Sequence, residues 1–165
     1  MSVLTREDAE TLLFREALLL DRRDWDAWLE MYAEDAVYWI PAWRDETEPT
    51  QNPDAELSLI YYQSRKELEE RVWRARSGLS VASTPLPRAV HVIGNVLVDK
   101  ADAEQAELTA SFVVHYHDVR AERTHAFFGR YEYRIRTNCA QPKIAFKKIL
   151  LLNDNIPAVL DFYLV

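Results

Sequence analysis

Residues 106–136 read AELTASFVVHYHDVRAERTHAFFGRYEYRIR, and two stretches within them alternate with a period of two. Leu108, Ala110, Phe112, Val114 and Tyr116 share one face of the first stretch; His125, Phe127, Gly129, Tyr131, Tyr133 and Ile135 share one face of the second. Successive side chains of a strand point to opposite sides, so each stretch predicts a strand with one buried face. The polar residues 118–123 between them predict a hairpin connection. Working outward, residues 89–98 alternate too, with Val90, Val92, Val96 and Val98 against His91, Ile93, Asn95 and Leu97. A last strand is expected at 143–152, and a short aromatic one at 36–40 that Pro41 ends, since proline has no N–H to give a ladder.

Helices are expected before these strands. Thr5 with Asp8 can cap the first, and Ala9, Leu12, Leu13, Ala17 and Leu20 then fall on one face. The second opens at Asp24 and places Trp25, Trp28, Leu29 and Tyr32 on one stripe. A third begins at Ser64 and Glu67, a capping-box pair, and turns Leu68, Val72 and Ala75 inward. Helices first and a long meander afterwards predict one α+β domain over 1–165, a curved antiparallel sheet wrapped around N-terminal helices. Two loops interrupt it, the acidic and proline-rich 41–56, which carries Trp43, and the Ser- and Pro-rich 78–87; loops this long in a compact domain are usually either functional or disordered.

A chain of 165 residues is long enough to bury roughly 70% of its unfolded surface. Cys139 is the single cysteine, so an internal disulfide is excluded and a reducing cytoplasm is the expected compartment. Net charge is −7, but unevenly spread: residues 1–60 carry 15 acidic and five basic side chains, and the remainder is net +3. That acidic half speaks against nucleic acid as a partner. No apolar run approaches the roughly 20 residues of a membrane span, and the acidic start MSVLTREDAE does not resemble a secretory signal.

The residues offer two chemical readings. His115 and His117 flank Tyr116 and so share a strand face; with Asp118 and His125 across the hairpin they could be drawn as a metal site, or simply as polar residues against a partner. Asp35, Tyr38 and His91 could form a proton-transfer set, a carboxylate and a phenol working beside a carbonyl. The bland alternative gives Asp35 and His91 structural hydrogen bonds. There is no Gly-rich phosphate loop and no nucleophile elbow.

The run LDRRDWDAWLEMYAEDAVYWIP at 20–41 resembles the matching segment of the small (β) subunits of aromatic-ring-hydroxylating dioxygenases, in the benzoate, toluate, anthranilate and halobenzoate group. So do ELSLIYY at 56–62 followed by Glu69, Glu70, Arg71 and Val72; Arg88, His91 and Asn95 within RAVHVIGNV; FGRYEY at 128–133; KKILLLNDN at 147–155; and LDFY at 160–163. Gly94 stands where this group is expected to have Ser. The resemblance implies a cone related to nuclear transport factor 2 and cystatin, and a non-catalytic structural subunit of a cytoplasmic enzyme acting on benzoate or a substituted benzoate. It implies three such chains under three catalytic α subunits, which hold a Rieske two-iron cluster and a mononuclear iron. A Rieske site takes two Cys and two His, more thiolates than this chain possesses, so no cofactor and no metal is expected here. Trp43, Tyr61 and Tyr62 are the expected aromatic anchors toward other subunits. Arg120, Arg123, Arg130, Arg134 and Arg136 are expected to meet acidic N-terminal elements of a neighbour. The alternatives are a stand-alone isomerase or dehydratase of the same fold using Asp35, Tyr38 and His91, and a homo-oligomeric binding module for a small aromatic ligand.

Overall fold

The computed structural model describes residues 3–165. Helix α1 (Arg6–Asp21) starts at the expected capping box, Thr5 accepting from the Asp8 N–H while the Asp8 carboxylate accepts from the Thr5 N–H. Helix α2 is shorter than the aromatic stripe predicts, Trp25–Glu30, because Tyr32 already belongs to strand β1 (Tyr32–Pro41) and pairs with Ile144. Strand β1 therefore begins four residues ahead of the expected start, and Asp35 lies within it. An unexpected edge strand β2 (Ser58–Tyr62) precedes helix α3 (Arg65–Arg76). At α3 the capping box is not realised: the Ser64 side chain makes no cap bond, and the Glu67 carboxylate accepts from the Gln63 N–H instead.

Strands β3 (Arg88–Ala101), β4 (Gln105–Asp118), β5 (Arg123–Arg136) and β6 (Lys143–Leu151) follow. They form one six-stranded sheet in the order β2-β1-β6-β5-β4-β3. All neighbours are antiparallel except β1 and β6, which run parallel and join the first strand to the last. The alternation read in β4 and β5 holds throughout. In β3 it does not: His91 faces the core while Val90 and Val92 are exposed, yet after an irregularity at 94–97 Val96 faces the core. Asn95 takes φ +52 there, a left-handed conformation asparagine tolerates, and the bulge exchanges the strand's two faces. Gly94 has open space where a Cβ would be, so the departure to Gly costs no packing.

The sheet's inner face closes over α1 and α2. Phe162, from a single 3-10 turn at Phe162–Leu164, lies between Trp25 (ring centroids 5.0 Å apart, edge-on) and Trp28 (5.2 Å, stacked). All three rings are buried, each removing roughly 150–250 Å² from water, an upper-bound gain of about 4–6 kcal/mol. Arg71 on α3 grips Asp161, which is 1% exposed, with N–H···O distances of 3.0 and 2.5 Å, and so fastens the final segment to the helix layer. Gly129 is required where β5 passes β6, since a Cβ there would lie 1.9 Å from the Leu150 carbonyl oxygen.

Candidate functional site

The inner surface of the cone is where a fold of this kind could hold a pocket. Glu16, one helical turn from Leu13 and Leu20 on the apolar face of α1, projects into it. Its Oε1 accepts from the Tyr32 hydroxyl (2.5 Å), from Lys147 Nζ (2.9 Å) and, at 3.4 Å, from the Trp28 indole; its Oε2 accepts from the Tyr133 hydroxyl (2.6 Å). Glu16 and Lys147 are 2% and 1% exposed. The ammonium also lies 4.3 Å from the centre of the Tyr131 ring, a favourable cation–π approach.

Burial is the largest influence on Glu16 and pushes its carboxyl up, but the Lys147 charge and the bonds from Tyr133, Tyr32 and Lys147 together outweigh it, leaving the pKa lowered. Burial lowers Lys147, with Glu16 pulling the other way. Tyr32, Tyr38, Tyr131 and Tyr133 are held well above ordinary phenol acidity by burial first and the Glu16 charge second. This is an ion pair with its oxygens already spent, and none of Glu16, Lys147, Tyr32 and Tyr133 lines the cavities found at the surface. A carboxylate so enclosed, 2% exposed and held by four donors, is out of reach of a substrate proton. Reasoning from sequence missed the pair, although a charged residue inside the apolar stripe of α1 was a visible signal, as was Lys147 in phase with Ile149 and Leu151.

The proton-transfer set is not brought together. Asp35 is exposed on β1 and forms a two-pronged pair with Arg136 (3.1 and 3.2 Å), whose hydrogen bonds lower its pKa. Tyr38 is fully buried, its hydroxyl without a partner among the described residues, its ring between Tyr32 and Tyr62. His91 meets the Asp21 carboxylate at Nδ1 (2.6 Å), faces the Val165 oxygen at Nε2 (3.3 Å), and its backbone N–H also donates to Asp21. Each of the three thus has separate neighbours.

The histidines do not converge either. His115 is exposed on the outer sheet face and His117 meets Thr124 at 3.2 Å, whereas His125 packs on the inner face against Tyr116 and Phe127. Among the described residues no group of three or more His, Cys, Asp or Glu is arranged to hold a metal. The Cys139 thiol donates to the Gln141 carbonyl at 2.9 Å. Neither a Rieske cluster nor a mononuclear iron fits these side chains.

The candidate interface residues are partly engaged within the chain. The Trp43 indole N–H donates to the Leu151 carbonyl (2.7 Å), and its loop is pinned by Glu56, whose pKa falls to about 2 through the Asn52 and Gln51 N–H groups and Arg44. Tyr62 stacks on Tyr38 at 6.2 Å; the Tyr61 hydroxyl accepts from Gln63 at 3.0 Å. Arg120 donates to the Thr84 carbonyl, Arg134 lies over Phe146, and Arg136 holds Asp35. The Arg123 and Arg130 side chains make no hydrogen bond or ion pair among the described residues, and both residues are exposed. Arg130 shares the outer sheet face with exposed Val90, Val92 and Phe128.

The ring hydroxylating beta subunit family model matches residues 15–158. Over 163 residues the chain is 39% identical to the benzoate 1,2-dioxygenase subunit beta of Acinetobacter baylyi, covering 99% of this chain and 95% of that one. It is 42% identical to the 2-halobenzoate 1,2-dioxygenase small subunit of Burkholderia cepacia, covering 94% and 93%. The crystal structure of the beta subunit of benzoate 1,2-dioxygenase from Burkholderia mallei superimposes with a TM-score of 0.84 at 33% identity, covering all of both chains. The fold alone is shared with a nuclear transport factor 2-like protein of cystatin-like fold from Novosphingobium aromaticivorans, with a TM-score of 0.63 at 15% identity, covering 91% and 83%.

Proposed function

Since the chain belongs to the ring-hydroxylating dioxygenase β-subunit family, we propose that it is the non-catalytic structural subunit of a cytoplasmic dioxygenase for benzoate or a substituted benzoate, assembled as three α and three β chains. The observation that carries the non-catalytic role is the filled cone, in which the Glu16 oxygens are spent on Lys147, Tyr32, Tyr133 and Trp28. The α subunit holds the Rieske cluster and the mononuclear iron, which supply the oxygen chemistry; this chain supplies a rigid support. A threefold ring has two different surfaces per subunit. Arg130, whose side chain makes no ion pair among the described residues, and the acidic N-terminal half supply the charge complementarity for them. Trp43, Tyr61 and Tyr62 are the aromatic contribution, with the part of each ring not already packed inside the chain.

Co-expression with a benzoate-dioxygenase α subunit tests this. A tag on this chain is expected to retrieve the α subunit in equal number, light scattering is expected to give the mass of six chains, and iron is expected to follow the α subunit. A chain that never co-purifies with α, or that alone turns over a carbonyl substrate and loses this with His91→Gln, refutes it.

A further inference from the structure

Where β4 turns into β5, a cavity of about 170 Å³ opens between the hairpin, Pro85 and Pro87 ahead of β3, and the segment 157–164. Its walls are already fixed. Tyr116 and His125 meet edge-on at 5.7 Å, His125 and Phe127 at 4.9 Å, and the Tyr163 hydroxyl is held by Ser83 Oγ at 2.7 Å. An apolar cavity of about 150 Å³ holds a benzene ring, so this one accommodates a single ring with a small substituent.

The polar groups around it narrow the chemistry. Arg123 lines the cavity; its side chain makes no hydrogen bond or ion pair among the described residues, although its charge acts on the nearby Asp118 carboxylate. Asp118, the other charged lining residue, has an oxygen engaged by the N–H groups of Arg120 and Ala121, both at 3.0 Å. The ring of His125 forms part of the wall, while its Nε2 is turned away from the cavity, buried and without a hydrogen-bond partner among the described residues. One available cation beside proline and aromatic walls selects a flat anion. We propose that this cavity binds a planar carboxylate one aromatic ring in size, its ring between the prolines and Tyr116 and its charge met by Arg123.

Benzoate is the probe, titrated by calorimetry into the isolated full chain while the His125 Cε1 proton resonance is followed by NMR. One saturable site per chain is expected, with a shift at His125. Benzyl alcohol, of similar size and uncharged, is expected to bind at least about tenfold more weakly, and so is benzoate to Arg123→Gln, since a charge-assisted bond is lost in each. Arg123 is exposed, so this variant is expected to keep its Tm; Ala158→Phe, on the wall, is expected to abolish binding. No saturation, equal affinity in Arg123→Gln, or binding that leaves His125 unmoved overturns the proposal. So does loss of the benzoate response in the α complex through insertion of a partner side chain. The other arms use this chain alone, so their failure leaves the co-purification result standing.

Discussion

Replacing Lys147 by methionine removes the cation from an ion pair whose side chains are 1% and 3% exposed. Breaking such a pair from one side costs about 3–5 kcal/mol, because the remaining charge is left in a medium that cannot solvate it. Glu16 would keep its bonds from Tyr32, Tyr133 and Trp28, which places the expected loss at pH 7 toward the lower end. The pH dependence has a definite sign. With Lys147 gone, burial dominates and the folded-state pKa of Glu16 rises above its unfolded value, so stability returns as the pH falls. Each pH unit between the unfolded pKa and the raised folded one then returns up to about 1.4 kcal/mol. In the parent protein the Glu16 pKa is lowered, so its contribution is present above the unfolded value and lost on acidification. Urea titrations followed by Trp fluorescence at fixed protein concentration measure both. With a slope of about 2 kcal/mol/M, the midpoint at pH 7 is expected to drop by about 1.5–2 M, and by less at pH 5. Glu16→Gln combined with Lys147→Met is expected to restore most of the loss. A pH-independent cost below about 1 kcal/mol, or a double variant worse than the single one, refutes the reasoning.

Gly129→Ala puts a methyl group 1.9 Å from the Leu150 carbonyl oxygen and is expected to cost about 3 kcal/mol or more, read as a lowered Tm or insoluble protein. Arg71→Ala leaves Asp161, 1% exposed, without its cation; a loss of about 3 kcal/mol is expected, and limited proteolysis should then cut within 153–165 first. His91→Gln, which breaks the bond to Asp21, should lower Tm by a few degrees while turnover per assembled, iron-loaded complex stays within about threefold of the parent. A hundredfold loss, about 2.7 kcal/mol in the barrier, would show that His91 takes part in the chemistry.

The parts of the fold legible in the sequence were those fixed by local periodicity. Strands β4 and β5 alternate without interruption, and their inner faces could be read directly. The reading of β3 as one continuous alternation failed because Asn95 flips its backbone to φ +52, a local event that leaves no trace in hydrophobicity. Strand β1 was placed late because Tyr32 fits a helical stripe as well as a strand; long-range pairing with Ile144 decides, and no local pattern contains that information. The Asp35–Arg136 and Arg71–Asp161 pairs join residues 101 and 90 positions apart, beyond any spacing argument. The interior ion pair was partly legible, since Glu16 interrupts an apolar stripe, but its partner lies 131 residues away.

Strand β6 shows what that distant pair does besides filling space. Its sequence, KIAFKKILL, with Leu152 beyond it, offers two faces: Ile144, Phe146, Lys148, Leu150 and Leu152, or Ala145, Lys147, Ile149 and Leu151. The first is the greasier, yet the second is buried from Lys147 onward, after an extra residue at Ala145 interrupts the pairing with β5. Hydrophobicity therefore favours the wrong face. The charges favour the right one, since Lys147 meets Glu16 inside while Lys148 meets Glu132 outside at 3.4 Å. A one-residue slip would exchange every inward side chain of the strand. Glu16 thus opposes the slip that would seat Phe146 in place of Lys147, since its buried carboxylate would then lack a cation.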